Sequence, residues 1–164
     1  MGPFGHMAAG FAIRSKTDRI PLIVLLVAAY FAEIMYFAFA ALGVDTPQYA
    51  PWSHSLGMAL VWAVAAGGVY AIAVKKWRDG ALVALAVLAH WALDILVWDS
   101  LPLAPGLSVN IPGLGLYGLL GFKIEEAGGN LPTLLVTALD AGLFTLGLAF
   151  CIARLRSEKK KRSR

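Results

Sequence analysis

Residues 81–98 read ALVALAVLAHWALDILVW, an apolar run long enough to cross a bilayer of about 30 Å as a helix. Inside it stand His90 and Asp94. Four residues apart, they share one helix face in surroundings too apolar to solvate a charge. An ionisable side chain within a bilayer costs from about 3 to over 10 kcal/mol, so its default reading is a functional site with a partner. The blander alternative is a buried His–Asp hydrogen bond that holds helices together.

The composition around this stretch points the same way. Of 164 residues, 59% are hydrophobic and only 15% charged, with a mean hydropathy of +0.71, whereas soluble domains carry about a quarter charged residues. The expectation is an all-α, polytopic integral membrane protein. A net charge of +4 and a pI near 9.4 do not imply nucleic acid, because the basic residues cluster just outside apolar runs, where lipid head groups and topology account for them. The single cysteine, Cys151, cannot form an intrachain disulfide and leaves the redox compartment open.

In chain order, Met1 to Ile13 is apolar apart from His6 and is too short to span, which suggests a half-membrane or interfacial helix. Ile20 to Val44 is the first full span, interrupted only by Glu33. A secretory signal competes for this run, since basic residues precede it and Ala38-Phe39-Ala40 resembles a cleavage site, but the run is long for a signal core and carries an acid in its middle. Ser53 to Val74 is the second span, with His54 at its mouth and Gly67-Gly68 allowing close helix approach. The third is Ala81 to Trp98. A loop rich in proline and glycine follows, in which Leu114 to Phe122 is apolar enough to lie on or dip into the membrane. The fourth span, Pro132 to about Ala153, contains Asp140. Residues 1–153 therefore read as one transmembrane domain of four spanning helices plus the short N-terminal helix, and 154–164 as a basic, disordered tail that contacts anionic lipid head groups.

Thirteen of the fourteen basic residues lie in three groups, at Arg14 to Arg19, Lys75 to Arg78 and in the tail; only Lys123 lies elsewhere. With four spans all three groups fall on one side, which the positive-inside rule makes cytoplasmic, with both termini inside. At 1.5 Å per helical residue from that side, His6 lies about 12 Å deep, His90 roughly 15 Å, and Glu33 and Asp94 roughly 20 Å. Asp140 descends to a comparable level, and His54 and Asp99 sit at outer mouths. All three histidines and four carboxylates are thus expected to converge in the outer half of a small bundle.

Imidazoles and carboxylates from different helices, without cysteine, are the ligand set of zinc, manganese or iron in a hydrolytic site. A divalent ion offsets buried carboxylates that would otherwise be protonated or unpaired. Its expected role is to acidify water and polarise the bond being cut. Carboxylates outside the ligand set would act as general base or orient the ligands; Glu33 and Asp99 are the first choices, with Asp140 the alternative base. Other signals are weaker. Ser55 beside His54 resembles a nucleophile–base pair, but adjacent helical residues do not face each other. The loop glycines match no phosphate-binding fingerprint. Trp52, Trp62, Trp91, Trp98 and Tyr117 read as interface anchors and packing residues.

Gly5-His6, Pro51-Trp52-Ser53-His54-Ser55-Leu56, His90-Trp91-x-x-Asp94 and Asp99-x-Leu101-Pro102-Leu103-x-Pro105-Gly106, in this order and spacing, resemble the bacterial family described as predicted membrane-bound metal-dependent hydrolases, to which the LexA-regulated inner-membrane hydrolase-like proteins belong. The resemblance runs from His6 to the fourth span. It implies His6, His54, His90 and Asp94 as metal ligands, and places Glu33 where many members carry an aspartate in a Pro-Asp-x-Asp segment. Here that segment is Ala32-Glu33-Ile34-Met35. The proline and second acid are absent, and with them the basis for a second metal that depends on them. The resulting expectation is a hydrolase of the bacterial inner membrane that cleaves an ester or phosphoester, with a membrane lipid as substrate and zinc as the leading metal. A non-enzymatic metal carrier or permease component with the same ligands is the alternative, and a helical scaffold with buried polar contacts the third.

Overall fold

The computed structural model describes residues 4–47, 49–123 and 127–162; the first residues of the N-terminal apolar segment and the last two of the basic tail lie outside the described residues. Among them the chain is mostly helical: α1 (Met7–Arg14), α2 (Leu22–Ala29), α3 (Phe31–Ala41), α4 (Pro51–His54), α5 (Leu56–Val74), α6 (Trp77–Val97), α7 (Leu116–Leu119) and α8 (Leu131–Arg162), with a two-stranded antiparallel hairpin of β1 (Ser100–Pro102) and β2 (Asn110–Pro112) between α6 and α7. The helices α5, α6 and α8 are long and apolar enough to cross a membrane, and the bent pair α2–α3 makes a fourth if counted as one span.

The centre of the fold is the α5–α6 hairpin. Ala59, Ala63, Gly67 and Ala71 recur every fourth residue and form the buried stripe of α5, a small-residue face that lets another helix approach closely. On α6 the buried stripe is Asp79, Gly80, Val83, Ala86, Val87, His90, Asp94 and Val97, so the two ionisable residues of the midsection lie on the inward face. A Cβ added at Gly67 would stand 2.7 Å from the Gly80 carbonyl; the two backbones cross at this point. Gly68, expected to share that role, faces open space. Lys75 turns the chain between the helices in the left-handed conformation, φ 56°, and the Lys76 N–H closes the end of α5 on the Ala71 carbonyl at 3.0 Å.

Around this hairpin, Ile20, Leu25 and Ala28 pack with Ala63, Val83, Ala86 and Val87 into the main core. The short α1 lies between α2 and α8. Gly10 meets the Leu25 carbonyl, Gly147 meets Ala8, and Phe11 stacks edge-on against Phe144 with centroids 5.4 Å apart. Arg19, just before α2, reaches the buried Asp79 carboxylate at 3.4 Å and ties the α1–α2 connection to the start of α6.

Three expectations are corrected. The run from Ile20 to Val44 is not one straight helix: it breaks at Tyr30, and α2 and α3 are bent by 50°. No proline or glycine causes the break. At this point the Glu33 N–H donates to the Tyr30 carbonyl at 3.1 Å, which releases the Ala29 carbonyl from the helical ladder for a side chain of α6. The second span starts later than expected, because Ser55 is extended and separates α4 from α5 as the N-cap of the latter, accepting from the Met58 N–H at 3.3 Å. The basic tail, expected to be disordered from Arg154, continues α8 as helix to Arg162. In the loop before α8, α7 buries Tyr117 against Val97 and Val136 in a second small core, while Leu114 and Leu119 stay exposed.

Candidate metal centre

Five side chains from four places in the chain meet at one point. His6 caps the start of α1, Glu33 sits in the first turn of α3, His54 ends α4, and His90 and Asp94 lie one turn apart on α6. The break at Tyr30 is what brings Glu33 to the front of a new helix at this level.

The geometry is close. Asp94 Oδ1 is 3.4 Å from His6 Nε2, and Asp94 Oδ2 is 3.4 Å from His90 Nε2 and 3.8 Å from His54 Nε2. Glu33 Oε1 stands 3.9, 3.8 and 3.9 Å from the Nε2 atoms of His6, His54 and His90. Ligand atoms placed tetrahedrally at zinc bond lengths are about 3.3 Å apart, so these separations suit donors around one ion slightly better than a hydrogen-bonded pair. His6, Glu33 and His90 form one group able to hold a metal ion, and His54, His90 and Asp94 another.

Two further observations fit the ligand set to a cation. Neither ring nitrogen of His6, nor Nε2 of His90, has a hydrogen-bond partner among the described residues, although both side chains are buried. Unpaired buried polar atoms are costly unless a ligand or ion completes them. The tautomer of His90 is also set for coordination: Nδ1 lies 2.9 Å from the Ala29 carbonyl, which can only accept, so Nδ1 carries the hydrogen and Nε2 keeps its lone pair towards the centre. The helix break at Tyr30 supplies that acceptor. A backbone carbonyl orienting a ligating imidazole in this way is a common second contact in metal sites.

Access is one-sided. His6, His90 and Asp94 are at most 1% exposed, whereas His54 and Glu33 are 15% and 17% exposed. The open edge therefore lies between α3 and α4, beside the Tyr36 ring, whose centroid is 6.0 Å from that of His54.

Of the seven residues singled out from sequence, His6, His54, His90, Asp94 and Glu33 converge. Asp140 and Asp99 do not join them. Asp140 accepts hydrogen bonds from the Phe4 and Gly5 N–H groups at 3.1 and 2.7 Å, so its carboxylate anchors the turn that presents His6. Asp99, expected as a general base, is exposed and rests against Gly115 and Gly118 at the start of α7. Both were placed by depth, and depth does not say which way a side chain points. Ser55 is the cap of α5. The residue bonded to the His54 ring is instead Ser53, whose Oγ also donates to Asp45. Sequence reasoning missed both Ser53 and Asp45, and a loop aspartate eight residues before a serine carries no signal that would have found them.

Comparison of the chain with models of protein families, with curated proteins and with solved structures finds no match. Fold and site together define the class: a bundle of apolar helices with a cluster of three histidines and two carboxylates, of which His6, His90 and Asp94 are buried.

Proposed function

We propose that this protein is a multi-pass protein of the bacterial cytoplasmic membrane that hydrolyses an ester or phosphoester, with a membrane lipid as substrate, at a divalent transition metal. The observation that carries the proposal is the meeting of three imidazole Nε2 atoms and two carboxylates within 3.4–3.9 Å in an apolar bundle. The order of the His-Ser and His-x-x-x-Asp motifs, which resembles that of the membrane-bound metal-dependent hydrolases, adds to it.

His6, His54, His90 and Asp94 would hold the ion, with zinc favoured by an imidazole-rich, thiolate-free set. Bound there, it would supply a Lewis acid for the scissile bond and acidify water at neutral pH. The chain's own contribution is then assigned residue by residue. The Ala29 carbonyl keeps His90 Nε2 unprotonated, and Asp140 fixes the turn that presents His6. Glu33, on the open edge, takes the proton of the attacking water on its carboxylate and later returns it to the leaving oxygen. The apolar walls exclude bulk water and strengthen each of these interactions.

The lipid substrate rests on location. Taking α2–α3, α5, α6 and α8 as four spans with the three basic groups on the cytoplasmic side would put the cluster in the outer half of the bilayer, and its more exposed members, Glu33 and His54, lie on the side of Tyr36 and the exposed Phe37. A lipid can enter there without leaving the membrane. The basic end of α8 contacts anionic head groups. A metal carrier would use the same ligands, but the surplus acid at the open edge, beyond what one tetrahedral ion needs, favours hydrolysis.

Elemental analysis of the purified protein, paired with a screen of lipid esters and phosphoesters, tests the proposal. The expected result is a first-row transition metal in near-stoichiometric amount and cleavage that a chelator abolishes. Absence of cleavage under every tested metal, together with metal flux into proteoliposomes in proportion to protein, would replace the hydrolase with the carrier.

A further inference from the structure

Among the described residues, His54 is the one histidine of the cluster whose second ring nitrogen meets a side chain; His90 Nδ1 meets the Ala29 carbonyl, and His6 Nδ1 has no partner there. Ser53 Oγ lies 2.7 Å from His54 Nδ1 and 2.7 Å from Asp45 Oδ2, and both Ser53 and Asp45 are buried. The other oxygen of Asp45, Oδ1, accepts from the Trp52 N–H at 3.1 Å. Every proton in this chain can be placed. A serine hydroxyl has one hydrogen and two lone pairs, and a carboxylate only accepts. The Ser53 hydrogen therefore goes to Asp45, the short contact, with the Ala50 carbonyl at 3.5 Å as the weaker acceptor for the same hydrogen. In either case Ser53 Oγ has none left for His54 and must accept, so His54 Nδ1 carries the ring hydrogen. A neutral imidazole has only one. His54 Nε2, 3.8 Å from both Glu33 Oε1 and Asp94 Oδ2, is left with a bare lone pair aimed at the cluster.

We propose that Asp45 and Ser53 are positioning residues that select the His54 tautomer with Nε2 unprotonated, and that they thereby set the affinity of the cluster for a divalent cation. The tautomer part stands on hydrogen-bond geometry alone; the affinity part rests on the metal-site reading above. The pairing also explains two buried polar residues that otherwise sit unused at the foot of α4. Four-residue α4 holds Ser53 and His54 next to each other, and the loop from α3 returns Asp45 onto them.

The arrangement makes an isosteric substitution informative. In Asp45→Asn the Trp52 N–H still requires an oxygen opposite it, so the new NH2 group faces Ser53 Oγ and donates. Ser53 then turns its hydrogen to His54 Nδ1, at 2.7 Å a much nearer acceptor than the Ala50 carbonyl at 3.5 Å, and the ring hydrogen moves to Nε2, where it opposes a cation. A residue that served only packing would cause no such exchange.

The test is nitrogen NMR of full-length protein labelled with 15N-histidine, at alkaline pH where the imidazoles are neutral, with zinc affinity measured by competition on the same samples. His54 signals are assigned by their loss in His54→Asn. Wild type should show His54 protonated at Nδ1. Asp45→Asn should shift the hydrogen to Nε2, Ser53→Ala should mix the two forms, and both should weaken zinc binding about 10- to 100-fold, the usual cost of losing a group that orients a ligand. Ser53→Thr, which keeps the hydroxyl, should restore both readouts. Unchanged His54 nitrogen shifts in Asp45→Asn and Ser53→Ala, with zinc affinity also unchanged, would overturn the relay while leaving the metal site standing. Wild type that binds no zinc, with a His54 tautomer that still follows Ser53 and Asp45, would remove the metal site and leave the tautomer assignment in place.

Discussion

His6 and His90 stack face to face, with ring centroids 3.5 Å apart and planes 11° from parallel, and the Nε2 atom of each lies 3.4 Å from an oxygen of Asp94. Two imidazoles at van der Waals contact, both turned to one buried carboxylate, come from the N-terminal turn and from the middle of α6. Both rings, turned to the same carboxylate, would serve as neutral donors to one divalent ion.

Asp94→Asn is therefore expected to weaken metal binding more than any single histidine change, by about 100-fold or more, because Asp94 reaches all three imidazoles with its two oxygens. His6→Ala and His90→Ala should each lose most of the bound metal. Competition titration and elemental analysis of the three variants read the order. Equal and low metal in wild type and variants would make the cluster a structural hydrogen-bond network.

Glu33→Gln keeps an oxygen able to face the three Nε2 atoms but cannot take a proton. Metal content and folding should stay near those of wild type, while hydrolysis falls about 100-fold or more. Steady-state rates on the lipid identified by the screen, with metal content measured alongside, check this. A loss of metal as large as the loss of rate would make Glu33 a ligand rather than the base.

Asp140→Ala removes two charge-assisted hydrogen bonds to the turn before α1. The expected cost is about 3 kcal/mol of stability, and the freed His6 should lower metal retention as well. Asp140→Asn, which can still accept at one oxygen, should be intermediate in both. A thermal-unfolding series in detergent, with metal content, distinguishes this anchoring role from that of a general base, for which Asp140→Asn would lose rate and nothing else.

Reporter fusions at Asp45, Arg78, Gly129 and Arg164 should read outside, inside, outside and inside, on the strength of the three basic groups. An outside reading at Arg164 would undo the four-span topology and with it the placement of the cluster in the outer half of the bilayer.

The sequence by itself determined the helical character and named the five residues that meet, together with two, Asp99 and Asp140, that do not. An apolar run that carries His90 and Asp94 announces them, because nothing in such surroundings tolerates an ionisable group without a partner, and counting along helices of fixed rise placed His6 and Glu33 at comparable depth. Rotation about the helix axis was not legible. Asp140 was placed at a comparable level and Asp99 at an outer mouth, yet one is held by backbone N–H groups and the other rests against the turn at α7, which depends on neighbours distant in the chain. The break at Tyr30 was equally hidden, since no residue there forbids a helix; the bend goes with the use of the Ala29 carbonyl by His90, sixty-one positions away. Asp45 and Ser53 became functional candidates only once the loop from α3 folded back on α4. Local composition fixes which groups must be paired, but long-range packing alone decides with what.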